Sequence, residues 1–246
     1  MNPMRLKLII AYDGRSFLGW QSQAGGQTVQ DHLETAFARL CGHRIVVHGS
    51  GRTDAGVHAL AQCAHVDAGH ARFKPADWIP ALNAHLPREI RVLKCSQAKP
   101  DFHARFDARG KIYTYRIWNH PVHSPFERGR SWHLPGPLDV SYLKATAEQL
   151  TGTHDFAAFA ANRGKPDENT VRTVRRIALS KRGPLITLTF EGTGFLYKMV
   201  RLMTGTLVRC SQHRDDPGWI PDLLNGKKKT SFAAPAEGLC LTRVLY

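Results

Sequence analysis

One order of secondary-structure signals occurs twice along the chain, and this duplication limits the possible folds more than any other feature. Arg5–Tyr12 puts Leu6, Leu8, Ile10 and Tyr12 on one face by strict alternation, the mark of a half-buried strand. Thr28 with Asp31 three residues on resembles a capping box, Val29, Leu33, Ala36, Phe37 and Leu40 follow at helical spacing, and Gly42 suits the stop. Arg44–His48 and Leu60–Val66 read as two strands joined by a Gly-rich loop. Pro75 opens a second helix that Pro80 shortens or kinks, and Ile90–Ser96 closes the first half as a strand.

The second half repeats the order. Ile112–Trp118 alternates like a strand, and Asp139 can cap a helix carrying Leu143, Ala147 and Leu150. Val171–Ser180 and Leu185–Phe190 form a hairpin around Arg182-Gly183-Pro184, Phe195–Val208 is a helix weakly interrupted by Gly205, and Leu239–Tyr246 is a final strand. The expected fold class is α/β (α+β): two ferredoxin-like β-α-β-β-α-β halves, residues 1–107 and 108–246, with mainly antiparallel sheets flanking a basic cleft. Two segments stand outside the repeat. Asn119–Pro137 reads as a loop, and Asp215–Lys229 as an inserted short helix ending in three lysines.

Charge narrows the partner. The chain of 246 residues carries a formal charge of +14. Residues 1–107 hold 13 Lys+Arg against 9 Asp+Glu, and residues 108–246 hold 21 against 11, so the net is +4 and +10. An excess of this size points to a polyanion, because Lys and Arg that neutralise phosphates release condensed counterions; a basic but merely soluble surface is the blander reading. No apolar run is long enough to cross a bilayer, and Met1–Lys7 holds no signal-peptide core, so a cytoplasmic protein is expected. The five cysteines are widely spaced without a C-x-x-C pair, which indicates neither a disulfide framework nor a zinc site.

The chemistry concentrates in Gly49-Ser50-Gly51-Arg52-Thr53-Asp54-Ala55-Gly56-Val57-His58-Ala59, between two expected strands. Glycines let such a loop turn tightly or approach a ligand closely. By spacing alone, Asp54 reads equally well as a turn residue that bonds its own backbone. The glycine spacing is not that of a dinucleotide-binding fingerprint.

Gly51–Ala59 resembles the signature of the tRNA pseudouridine synthase A (TruA) family. Further blocks are similar to that family in the same order. They are Tyr12-Asp13-Gly14 with Phe17–Gln21 and Thr28-Val29-Gln30; Asp101–Phe106 with Lys111–Tyr115; Gly194–Arg201; and Gly238–Leu241. Cys210, where a small residue is expected, and Ala236, where proline is common, depart from the pattern away from the proposed chemistry. The segment Asn162–Asn169 is of a variable kind, which leaves substrate range open.

The resemblance implies an isomerase that converts uridine to pseudouridine at positions 38, 39 and 40 of the tRNA anticodon stem-loop. It also implies a homodimer holding one tRNA across both subunits, and no cofactor or metal. Because nothing but the uracil moves, no group has to be carried. By the same resemblance Asp54 is the catalytic carboxylate and Arg201 the cation that keeps it ionised. Arg52 meets phosphate or fills the space a flipped base leaves, and Tyr113 is the aromatic platform under the uracil. Alternation puts Tyr113 and Tyr115 on the same face, so only the motif favours Tyr113. Arg105 and Lys111 lie in a stretch where cations and rings interleave, a pattern suited to RNA, although each could also be a solvated surface charge.

Two other readings compete. A non-catalytic RNA-binding protein would lose affinity by placing Asp54 in a phosphate-binding cleft. A nucleoside hydrolase or glycosidase commonly pairs two carboxylates, and the next acidic residue after Asp54 is Asp67.

Overall fold

The computed structural model describes residues 4–68, 73–161, 169–213, 218–230 and 232–246. Contacts divide the chain into two compact units, one of Met1–Arg109 with Cys240–Tyr246, the other of Gly110–Leu239. Both mix helices with mainly antiparallel strands.

In the first unit the elements are β1 (Met4–Tyr12), α1 (Val29–Cys41), β2 (His48–Gly49), β3 (His58–Ala68), α2 (Trp78–His85) and β4 (Ile90–Gln97). β1 is central and pairs antiparallel with both β3 and β4. Its alternation holds: Leu6, Leu8, Ile10 and Tyr12 are buried. The α1 capping box forms, with Thr28 Oγ1 accepting from the Asp31 amide and Asp31 accepting from the Thr28 amide; Gly42 ends the helix in the left-handed region. Leu33 and Phe37 of α1 are buried, as are Trp78 and Leu82 of α2, and Phe37 and Trp78 meet at 5.4 Å. Pro80 falls in the first turn of α2, where its missing N–H costs nothing. The expected strand Arg44–His48 shrinks to two residues, His48 and Gly49, paired with His65 and Ala64.

The second unit contains β5 (Gly110–Asn119), β6 (Trp132–Leu134), α3 (Val140–Glu148), β7 (Gly152–Asp155), β8 (Val171–Arg182), β9 (Leu185–Gly192), α4 (Met199–His213) and α5 (Trp219–Leu224). Its strands run β5-β9-β8-β7 with antiparallel pairing, and β6 adds parallel to β5. Tyr115, Ile117, Leu188 and Phe190 from the sheet are buried, as are Leu143, Met203 and Leu207 from the helices. Asp139 caps α3 by accepting from the Tyr142 amide.

The second repeat differs from expectation in five places. β6 lies inside the segment read as a loop, and β7 had no apolar alternation to announce it. The helix expected from Phe195 begins at Met199 because Lys198 has φ 60°, a left-handed backbone that cannot continue a helix upstream. Gly205 is no weak point, since a Cβ there would stand 2.3 Å from the Phe232 carbonyl oxygen; the glycine lets the Phe232 backbone pack directly against α4. The final strand, β10 (Leu239–Leu245), forms as expected, but from Cys240 it groups with the first unit, pairing parallel to β3 through Cys240–His58 and Leu241–Ala59. Of the insert read over Asp215–Lys229, α5 is present and Lys227 and Lys228 both reach Asp222; residues 215–217 lie outside the described residues, as do 162–168.

Candidate active site

The loop between β2 and β3 is held from beneath by buried polar groups. Ser50 donates its amide to the Cys63 carbonyl at 2.8 Å and its hydroxyl to Gln62 Oε1 at 2.6 Å. Gln62, fully buried on β3, returns a bond from Nε2 to the Gly51 carbonyl at 2.9 Å. The hydroxyls of Tyr12 and Thr53 share a buried hydrogen bond of 2.8 Å. The Trp20 amide donates to the Thr53 carbonyl at 3.0 Å, and the Val57 amide to that of Asp54 at 3.1 Å. A Cβ on Gly49 would stand 2.5 Å from the Trp20 ring, and Gly56 has φ 80°, so the loop needs glycine at both. Asp54 is therefore a half-buried carboxylate between two fixed backbone points, with Arg52 exposed beside it.

Arg52 is itself oriented. Its Nε donates to Gln21 Oε1 at 3.0 Å, Gln21 Nε2 donates to Gln30 Oε1 at 2.8 Å, and Gln30 Nε2 to Glu34 Oε1 at 2.8 Å. Glu34 closes the chain against Arg44 at 3.1 Å. In the sequence Gln21 and Gln30 stand out only as members of the family-like blocks, and Gln62 belongs to none of them. Gln62 left one signal: a polar residue at a core position of a strand, which has to be hydrogen-bonded.

In the second unit, Tyr113 and Lys111 lie on β5 and Arg201 on the first turn of α4. Tyr113 is buried and meets Phe195 edge-on at 5.4 Å. Tyr115 is distinguished from it by its partner: its hydroxyl donates to the Pro235 carbonyl at 2.8 Å, and Gly238 lies so close that a Cβ would come within 2.6 Å of the ring. Burial pushes the Tyr115 phenol well above its usual range, against the pull of Arg201. Tyr115 is thus a core residue. Arg201 donates from Nε to the Ala234 carbonyl at 2.8 Å, and the Ala234 amide donates back to the Arg201 carbonyl at 3.0 Å. Of the site residues read from sequence, Arg52, Asp54 and Arg105 belong to the first unit, with Arg52 and Asp54 on one loop and Arg105 on the turn after Asp101; Lys111, Tyr113 and Arg201 belong to the second.

Among the described residues one group has metal-like spacing: His48, His65 and His103, whose ring nitrogens lie within 4.8 Å. Their hydrogen bonding does not fit a metal. His65 Nδ1 accepts from the Ala104 amide at 3.1 Å, and His103 Nδ1 accepts from the Arg105 and Phe106 amides at 3.1 and 3.3 Å. Those bonds place the protons of both rings on Nε2, whereas a ligating imidazole donates from its second nitrogen to an acceptor. Among the described residues the five cysteines are thiols and form no disulfide. Among the described residues no helix is long and apolar enough to cross a membrane.

The family described as tRNA pseudouridine synthase matches residues 8–107 and 146–246, and these two blocks contain the Asp54 loop and the Arg201 helix. The chain belongs to the tRNA pseudouridine synthase family, isomerases that convert uridine to pseudouridine. More particularly, it is similar to the tRNA pseudouridine synthase A of Akkermansia muciniphila, with 47% identity over 98% of this chain and 95% of that protein. It shares 45% identity with that of Solidesulfovibrio magneticus, over 98% and 91% of the two chains, and 44% with that of Moorella thermoacetica, over 98% and 99%.

Proposed function

We propose that this enzyme converts uridine to pseudouridine at positions 38, 39 and 40 in the anticodon stem-loop of tRNA, with Asp54 as its catalytic carboxylate. The observation that carries the reading is the buried support under the loop: Tyr12 on Thr53, and Gln62 on Ser50 and Gly51, hold a half-buried carboxylate and an exposed arginine two residues apart. In the reaction the N1–C1′ bond breaks, the uracil turns, a C5–C1′ bond forms, and the C5 proton is lost as N1 gains one. Substrate and product are isomers, so the work falls on side chains that hold the sugar and the base.

Within this proposal Arg52 meets backbone phosphate or takes the place of the flipped base. Tyr113 stacks under the uracil, and Arg201 is the cation that meets the Asp54 carboxylate. Arg105 and Lys111 add phosphate contacts, consistent with the excess positive charge. The enzyme is proposed to be built of two ferredoxin-like halves, the first carrying the catalytic loop and the second most of the positive charge. It is proposed to work as a cytoplasmic homodimer.

The deciding experiment incubates an anticodon-arm transcript with the wild-type protein and with Asp54→Asn, and assays pseudouridine and free uracil. Pseudouridine from the wild type, and at least about a thousandfold less from the nearly isosteric variant, is expected. Free uracil in place of pseudouridine would make the protein a hydrolase, and tRNA binding without either product would make it a binding protein.

A further inference from the structure

We infer that the turn at residues 101–107 is a preformed platform on which Phe106 stacks an unpaired RNA base while Arg105 meets the neighbouring phosphate. This rests on the reading of tRNA as substrate. It adds a recognition element in the first unit, separate from the loop that carries Asp54.

The turn is tied down far beyond what a surface turn needs. The Ala104 amide donates to His65 Nδ1, and the Arg105 and Phe106 amides converge on His103 Nδ1. The Asp107 carboxylate accepts from the His103 amide at 3.0 Å, and the Asp107 amide donates to the His103 carbonyl at 3.1 Å. The Tyr246 hydroxyl donates to the Ala104 carbonyl at 2.7 Å, and Arg5 Nη1 to that of Phe102 at 3.0 Å. Lys7 lies over the Tyr246 and Phe102 rings, at 3.7 and 4.8 Å from their centroids. Every amide from His103 to Asp107 thus has a partner. The side chains at its tip are not used to hold it.

Phe106 is 76% exposed. A single exposed ring is ordinary on a protein surface; what sets this one apart is the rigid turn that carries it and the aromatic and cationic groups placed around it. One ring face is already supported. His103 stacks on it at 4.2 Å with planes 28° apart, His65 meets His103 at 4.6 Å, and His48 stacks on His65 at 4.8 Å. Burial, then its neighbours His103 and His48, pulls the His65 imidazole down to about 4. His103 is also lowered, by burial first and then by His48. Both shifts favour the uncharged form of the two rings behind Phe106, so the Phe106 ring offers a flat aromatic surface, not a cation. The cation stands beside it: the Arg105 guanidinium lies 5.9 Å from the Phe106 centroid and is exposed.

A flat ring with an adjacent arginine fits a nucleobase and its phosphate. Charge favours RNA over a second copy of the chain. Arg5 is paired with Asp67, and Asp107 folds back on its own turn. Lys7, Lys99, Arg105 and Arg109 outnumber Asp101 and Asp107 in this stretch of a chain whose net charge is +14. A two-fold contact through Phe106 would bring two such surfaces together.

The test measures tRNA affinity and its salt dependence for the full-length wild type, Phe106→Ala, Phe106→Trp and Arg105→Ala. Phe106→Ala should bind about 5- to 100-fold more weakly, the range for one lost base stack, with an unchanged slope of log K against log salt. Arg105→Ala should lower the magnitude of that slope by about one. Phe106→Trp should restore binding. Phe106→Ala that binds like the wild type, or that changes the sedimentation coefficient instead of the affinity, would overturn the platform. Pseudouridine formation by the wild type on the same tRNA separates the two failures: if it occurs while Phe106→Ala binds normally, only the platform is wrong. Thermal unfolding of Phe106→Ala should match the wild type, because the ring is not part of the core.

Discussion

The hydroxyls of Tyr12 and Thr53 lie 2.8 Å apart in a buried hydrogen bond, one residue before Asp54. Tyr12 ends the central strand of the first unit, so this bond fastens the Asp54 loop to the strand that is paired on both sides. Burial holds the Tyr12 phenol above its usual range, and it stays a neutral hydroxyl. Thr53→Val keeps the shape and removes one partner. It should cost about 1–3 kcal/mol in urea unfolding, the penalty for a buried polar group that loses its bond. Tyr12→Phe should cost a similar amount, and the double variant less than the sum. Turnover should fall in both single variants with the tRNA dissociation constant unchanged. Additive stabilities with full turnover would show that the bond does not brace the loop.

Gly14 offers a test of how tightly the loop is seated. A Cβ there would stand 2.0 Å from the Val57 carbonyl oxygen, a backbone atom that cannot move without the loop. Gly14→Ala should therefore lose at least about 2 kcal/mol of stability and most of its activity. Gly136→Ala, with open space around the new methyl, should lose nothing and could gain up to about 1 kcal/mol. Equal stabilities of the two variants by thermal unfolding would contradict the close approach.

His65 predicts a pH dependence. Its folded value, about 4, lies below the ordinary 6.5. Between those values the unfolded chain binds the proton and the folded chain does not. This contribution is therefore complete above pH 6.5, is lost as pH falls, and is exhausted below about 4. Protonating Nδ1 would also remove the acceptor for the Ala104 amide. His65→Asn keeps an acceptor near that place and does not titrate. Its unfolding free energy should fall less steeply from pH 6.5 to 4 than the wild type's. Parallel profiles would place the acid sensitivity on other groups.

What could be read from sequence follows from how local each signal is. Leu6 to Tyr12 and Thr28 with Asp31 carry their information within a few residues, and both elements formed as read. Lys198 shows the limit. Nothing in Phe195–Arg201 signals a left-handed lysine, so the helix start was misplaced by four residues. β6 and β7 are short strands without alternation and depend on β5 and β8 for their existence. Asp54 and Arg52 stand on the loop that the sequence motif marks. Their supports lie outside that motif: Gln62, Gln21 and Tyr12 act through contacts across 9 to 41 positions, which spacing cannot show.

Arg201 is where geometry makes the sharpest demand on a conservative change. Its Nε holds the Ala234 carbonyl at 2.8 Å while the Ala234 amide returns a bond to the Arg201 carbonyl, so the side chain leaves α4 in a fixed direction. A planar guanidinium can spend one edge on that anchor and present the other to a carboxylate. A lysine has one nitrogen and must choose. If Arg201 is the cation that meets Asp54, Arg201→Lys should lose at least about tenfold in kcat although the charge is kept, with Arg201→Ala lower still. Affinity for tRNA should drop little in Arg201→Lys, because a phosphate contact needs only a positive charge. The opposite pattern, normal kcat with weakened and less salt-dependent binding in Arg201→Ala, would make Arg201 a phosphate contact and leave the Asp54 carboxylate to be held by its own loop.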